Sequence, residues 1–209
     1  MTDITYKGAN CVTIQTKTTA IITDPVIDGA KPPKELAKAR AVLISQPRYA
    51  VDINEAEQIA FTVPGEYEVG DFSVSSRQSE SQLDPAVKAT VFRIETPDVR
   101  LATLGHVNPD KVDDALIEDL GVIDVLILPI GGAGYTIDAH GAAKLARRIA
   151  PKVVIPVHFK EDGVNYEVPQ GTIEDFAREL GVQIQEEASL KIKQAGQLPE
   201  SLSLIRLTV

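Results

Sequence analysis

The chain has 209 residues, 44% of them hydrophobic and 24% charged, which suits one globular domain spanning residues 1–209. Its net charge of −9 argues against a general nucleic-acid or membrane-surface binder, because neither polyanion attracts it at long range. Cys11 is the only cysteine, which excludes an intrachain disulfide and any zinc site built on two or four thiolates. The N-terminus shows no basic-then-apolar leader pattern, and no apolar run approaches a membrane span. With a single thiol, these features point to a cytoplasmic protein without a membrane partner.

The opening residues alternate through Ile4 and Tyr6, then Val12 and Ile14, then Ile21 and Ile22, and predict three short strands. "TDPVIDGAKPP" is a loop, broken by proline and glycine. "PKELAKA" predicts a short helix with Pro32 or Pro33 near its start. "RAVLISQ" is a buried strand, and "DINEAEQIA" predicts a second short helix capped by Asp52 or Asn54. "PGEYEVGDFSVSSRQ" alternates around Gly70 and predicts a hairpin. "VKATVFRIET" and "VRLATLG" are strands joined by a "TPD" turn.

Helices then begin to alternate with strands. "PDKVDDALIEDLG" is a helix closed by Gly121, "IDVLILPIGG" an apolar strand, and "DAHGAAKLARRIA" an amphipathic helix. "PKVVIPVHF" is another apolar strand, and "GTIEDFARELG" is a helix capped by Thr172. Strands return in "SLKIKQAG" and "SLSLIRLTV". Continuous apolar strands signal burial on both faces. A β-rich half followed by an α/β half predicts a layered α/β domain with two sheets.

Several strings, in this order, carry a family resemblance: "ITYKGANCVTI", "AIITDPVI", "AVLISQPRYAVD", "VPGEYEVGDFSV", "LATLGHV", "IDVLILPIGG" and "PKVVIPVHF". Together they resemble the metallo-β-lactamase superfamily, in the branch of small bacterial Zn-dependent hydrolases similar to the L-ascorbate 6-phosphate lactonases. The resemblance covers nearly the whole chain. It implies an αββα four-layer sandwich, with two facing mixed β-sheets, outer helices and metals on loops at one edge. The family's His-x-His-x-Asp-His loop falls on Gln46, Arg48, Ala50 and Val51. A further ligand histidine belongs in the loop reading "SSRQSESQ", which has none. The bridging aspartate falls on Thr103, and the histidine later in that string on His106. A histidine after the first strand falls on Ala9, and the final ligand falls on His158, which is retained.

Zinc lowers the pKa of a bound water and polarises the attacked bond, and it needs three or more converging donors. Arg48 has no available lone pair, and Ala50 and Val51 have no donor atoms. The resemblance therefore implies a hydrolase fold that has lost its dinuclear centre, with no resident cofactor. His158 is the one weak metal candidate. Two acids of the family pattern are gone and a cation stands at Arg48. A cationic pocket of Gln46, Arg48, Thr103 and His158, with Lys160 and Asp24 nearby, would bind a small carboxylate or phosphate. The competing reading is that Arg48 pairs with an acid such as Asp24 or Asp52 and the pocket is closed. If Arg48 replaces the metal structurally, its removal is expected to cost about 1–3 kcal/mol.

Among the other candidates, His106 reads first as a buried, hydrogen-bonded histidine and second as a catalytic base. His140 reads as an exposed helix residue and Cys11 as a buried, inert thiol. Gly131, Gly132 and Gly134 match no phosphate-loop fingerprint. Two functions remain: a non-catalytic binding or interaction protein, with a homo-oligomer among its expected partners, or a divergent metal-dependent hydrolase, with His158 in a remodelled one-metal (zinc) or metal-free site, acting on a small phosphorylated or carboxylated metabolite.

Overall fold

The computed structural model describes residues 1–27 and 31–209, so part of the predicted "TDPVIDGAKPP" loop lies outside the described residues. Two mixed sheets pack face to face. The first holds β1 (Thr2–Gly8), β2 (Cys11–Gln15), β3 (Ala20–Thr23), β4 (Ala41–Leu43), β5 (Ile59–Phe61) and a late strand, β13 (Leu190–Ile192). Its order is β13-β1-β2-β3-β4-β5. The second holds β6 (Gly65–Val69), β7 (Phe72–Glu80), β8 (Lys88–Glu95), β9 (Arg100–Thr103), β10 (Val125–Pro129), β11 (Val153–Val157), β12 (Ile184–Glu187) and β14 (Ser203–Leu207). Its order is β12-β14-β11-β10-β9-β8-β7-β6. The strand β12, "IQEE", has no apolar alternation and gave no signal in the sequence; it pairs in parallel with β14 from Ile184 to Glu187.

The period-2 pattern explains the packing. Val12, Ile14, Ile21 and Leu43 face the second sheet, in one core that also takes in Val91, Leu101, Ile127 and Ile155. Their neighbours Cys11, Ile22, Val42 and Ile44 face the other way and form a smaller core. That outer core is closed by Leu36, Val51, Val164 and Tyr166, from turns and loops and not from an α-helix. Strands β10 and β11 are buried at every position, as their unbroken apolar runs predict.

Among the described residues the three α-helices come after residue 113: α1 (Asp114–Leu120), α2 (Ala139–Ile149) and α3 (Ile173–Leu180). Each is capped by a side-chain oxygen accepting a backbone N–H, from Asp113, Asp138 and Thr172 respectively. Gly121 closes α1 at φ +59°. Of the two short helices predicted in the first half, the first forms as a 3₁₀ helix and the second does not form. Residues Lys34–Lys38 make the 3₁₀ helix, with Pro33 at its N-cap, too short for an apolar stripe and with Leu36 its only large apolar residue. Residues 52–58 form a turn: Asn54 O accepts both Glu57 N–H and Gln58 N–H, and Gln58 Nε2 donates to Leu36 O at 2.5 Å. The chain then enters β5 instead of continuing as helix.

Candidate functional site

Strands β9, β10 and β11 run parallel, so their carboxyl ends open at the same edge of the sandwich. The β1–β2 turn and the loop after β4 reach this edge from the other sheet. His158 N–H donates to Ala9 O at 2.8 Å and Thr90 N–H to Ser45 O at 2.8 Å, which ties the two sheets together. The backbone here is strained. Ala9, Asp24 and His158 all have positive φ, at +49°, +34° and +49°.

At the centre stand His106 and His158, with ring centroids 5.1 Å apart in an edge-on arrangement. Both are almost fully buried. The Asn10 amide nitrogen lies 2.9 Å from His106 Nδ1 and 3.2 Å from Nε2; with the shorter contact donating to Nδ1, His106 Nε2–H is left to donate to the Tyr49 hydroxyl at 2.7 Å. The Tyr49 ring also stacks on His106, with centroids 4.5 Å apart. On the other side, His158 Nδ1–H donates to Gln170 Oε1 at 3.1 Å. Gln170 Nε2 donates to Val168 O, which fixes that amide's orientation and hence the His158 tautomer. Tyr166 lies against His158, with centroids 4.6 Å apart.

Burial governs the protonation of both rings. His106 is held well below the usual histidine range by burial first, then by His158 and by the charge of Arg48. Burial lowers His158 to about 4, opposed by the Gln170 hydrogen bond and reinforced by Arg48. Both imidazoles are therefore neutral at pH 7.

The remaining predicted residues are placed as follows. Asp24 is buried, and both its oxygens are used by Ser45: the backbone N–H at 2.7 Å and the hydroxyl at 2.6 Å. Burial outweighs those bonds and raises its pKa to about 6. Gln46 Nε2 donates to Ser81 Oγ at 2.6 Å and so ties the loop after β4 to the loop after β7. Thr103 is the buried last residue of β9. Lys160 does not join His158, because β11 ends at Val157 and Lys160 stands exposed on the following loop.

Arg48 departs most from expectation. It pairs with neither Asp24 nor Asp52. Its Nη2 donates to Glu167 Oε1 at 3.2 Å, with Arg48 36% and Glu167 53% exposed. The guanidinium carbon sits 5.4 Å from the Tyr49 ring centroid and 5.5 Å from that of Tyr135. The Tyr135 hydroxyl donates to the other Glu167 oxygen. Arg48 thus caps the mouth of the site and does not fill its interior. Tyr49 and the two histidines occupy that interior.

Sequence reasoning noticed Tyr49 in the loop but gave it no role, and it missed Asn10, Tyr135, Tyr166, Glu167 and Gln170. These come from three segments, the β1–β2 turn, the loop after β10 and the loop after β11, and follow no motif spacing. Only the topology brings them together.

A metal fits this donor set poorly. Among the described residues no group of three or more His, Cys, Asp or Glu is placed to hold one. Both nitrogens of His106 and both oxygens of Asp24 already have partners. His158 Nε2, which carries the lone pair of the Nδ1–H tautomer, and Asn10 Oδ1, buried without a hydrogen-bond partner, are the uncommitted donors of this cluster among the described residues, where a zinc site needs three.

The family profile described as "Beta-lactamase superfamily domain" matches residues 3–158. A UPF0173 metal-dependent hydrolase of Carboxydothermus hydrogenoformans is 35% identical over 72 residues, 34% of this chain. That stretch spans 31% of the relative's own length. A candidate Zn-dependent hydrolase of the metallo-β-lactamase superfamily from Thermotoga maritima superposes over 100% of both chains, with a TM-score of 0.74 and 22% identity. Igni18, a metallo hydrolase from Ignicoccus hospitalis, covers 92% of this chain and 99% of its own, with a TM-score of 0.65 and 18% identity. The two structures establish the fold. The lactonase-like branch rests on the sequence motifs alone.

Proposed function

The chain belongs to the beta-lactamase superfamily, and from that premise we propose that it is a metal-free member: a non-catalytic protein that binds a small anion at the edge where its relatives work. The observation that carries this reading is the His106–Tyr49–Asn10 cluster. A metal centre needs imidazole lone pairs directed at a common point. Here one lone pair of His106 accepts from Asn10, and its N–H is spent on Tyr49. Among the described residues no carboxylate joins the two histidines in a metal-holding group, and Asp24 is occupied by Ser45. Arg48, a permanent cation, stands at the mouth and holds the Glu167 carboxylate.

Metal content tests the reading. Protein purified without a histidine tag or chelator is analysed by elemental mass spectrometry, before and after incubation with zinc and manganese. The reading predicts well under 0.1 equivalent retained after desalting. Near-stoichiometric metal refutes it.

A second reading has one observation in its favour. His158 is neutral and presents Nε2 as a lone pair, the state a metal ligand requires. The name of the Carboxydothermus relative is consistent with it. Under this reading the chain is a divergent metal-dependent hydrolase of a small phosphorylated or carboxylated metabolite, with zinc held at His158 by ligands recruited on binding.

A further inference from the structure

The contact that closes the mouth has the form of a ligand complex. Glu167 offers a carboxylate, and both its oxygens are met: Oε1 by Arg48 and Oε2 by the Tyr135 hydroxyl. The guanidinium lies between the rings of Tyr49 and Tyr135, which fixes its plane from two sides. Two separate segments therefore converge to recognise one carboxylate that a third supplies. We propose that Arg48, Tyr49 and Tyr135 form a binding site for small carboxylates, and that Glu167 is its resident occupant, displaced when a free carboxylate binds. The proposal rests on the metal-free reading above and names the ligand class of that site.

Three features make Glu167 exchangeable. It belongs to the loop between β11 and α3, outside any helix or strand. Both partners of the pair stand partly in water, where an ion pair is weak and an external anion competes on equal terms. A hollow of about 400 Å³ lies along this loop, with Glu167 and Lys160 both in its wall. A displaced Glu167 side chain has space to withdraw there and meets a cation when it does. In a chain of net charge −9, this tyrosine-flanked guanidinium is where a carboxylate is drawn in against the overall field. The charge of Arg48 itself reaches deeper and helps to lower the pKa of both buried histidines.

The test is calorimetric titration of the full chain with succinate, after chelator treatment and desalting. The parent, Glu167→Gln, and Glu167→Gln combined with Arg48→Ala are compared, each with and without added zinc. Glutamine keeps the size of the side chain and removes its charge. If the internal carboxylate fills the site about nine-tenths of the time, Glu167→Gln tightens succinate binding by about tenfold. Adding Arg48→Ala abolishes it. Equal affinity in the parent and Glu167→Gln, or binding that survives Arg48→Ala, overturns the assignment of Glu167. Tightening that appears only with zinc, and with zinc retained, overturns the metal-free reading on which it rests.

Discussion

Removing a single oxygen probes whether the buried cluster is a finished hydrogen-bonded structure. Tyr49→Phe keeps the ring that stacks on His106 at 4.5 Å and deletes only the hydroxyl that accepts from Nε2–H at 2.7 Å. His106 is 2% exposed, so water has little access to replace that acceptor. The cost is that of leaving one buried N–H unpaired, about 1–3 kcal/mol. In a chain of this size each kcal/mol lowers Tm by roughly 2–4 °C. Equilibrium urea unfolding reads the difference, with the shift appearing in the midpoint and not in the slope. Tyr67→Phe is the control: its hydroxyl donates to Val63 O at the surface, and its loss is predicted to cost less than about 0.5 kcal/mol. A Tyr49→Phe midpoint indistinguishable from the parent would mean that His106 is not held as described. The argument against a metal centre would then lose its main support.

Three further outcomes follow from the same geometry. Arg48→Ala is expected to cost no more than about 1 kcal/mol, below the sequence-based expectation, because the pair with Glu167 is partly exposed; a loss above about 2 kcal/mol in urea contradicts this. Gly105→Ala is expected to destabilise by about 2 kcal/mol or more, since φ is +52° and a Cβ there meets Ser45 Cβ at 2.5 Å; a thermal melt within about 1 °C of the parent refutes the tight packing of this loop. Asp24→Asn alters the pH dependence of stability. His158, held at about 4 against 6.5 when unfolded, makes the unfolded chain bind more protons between those values, so stability falls as pH falls. Asp24, raised to about 6 from 3.8, makes the folded chain bind more protons and so loses stability as pH rises through the same window. The two oppose each other in the parent. Asparagine keeps both Ser45 contacts and removes the opposing slope, so stability should climb more steeply from pH 4 to 6, by about 3 kcal/mol over the window. Parallel curves from urea melts across that range would refute the assignment.

The layered fold was legible because its strands are apolar in a regular way. The alternation of Val12 and Ile14 against Cys11, and the unbroken "VLILP" and "VVIPV", gave strands and their burial without ambiguity. Residues 52–58 misled because a short polar stretch rich in Glu has helix propensity, yet no apolar face to bury; residues 34–38, also short, wind only as a 3₁₀ helix. That Arg48 offers a metal no lone pair, and that Gln46 and Thr103 offer only neutral oxygens, was also readable, since it depends only on which atoms can donate. What fills the space was not. Tyr49, Asn10 and Gln170 meet His106 and His158 through contacts 12 to 96 residues apart in sequence, set by the facing of two sheets. The expectation that Arg48 pairs with Asp24 or Asp52 failed for the same reason. Ser45 satisfies Asp24 locally, and Glu167 arrives from a loop more than 100 residues away.

The central claim is that both ring nitrogens of His106 are engaged by the protein and that the Nε2 lone pair left on His158 is too little to hold a metal. Ring-nitrogen NMR of ¹⁵N-histidine-labelled protein at pH 7, recorded while one and then two equivalents of zinc are added, observes those atoms directly. The account predicts two neutral imidazoles of fixed tautomer, His158 with its proton on Nδ1 and His106 with its proton on Nε2, whose resonances do not move with zinc. Stoichiometric displacement of both signals to metal-bound positions would contradict it and would return the chain to the metal-dependent hydrolases.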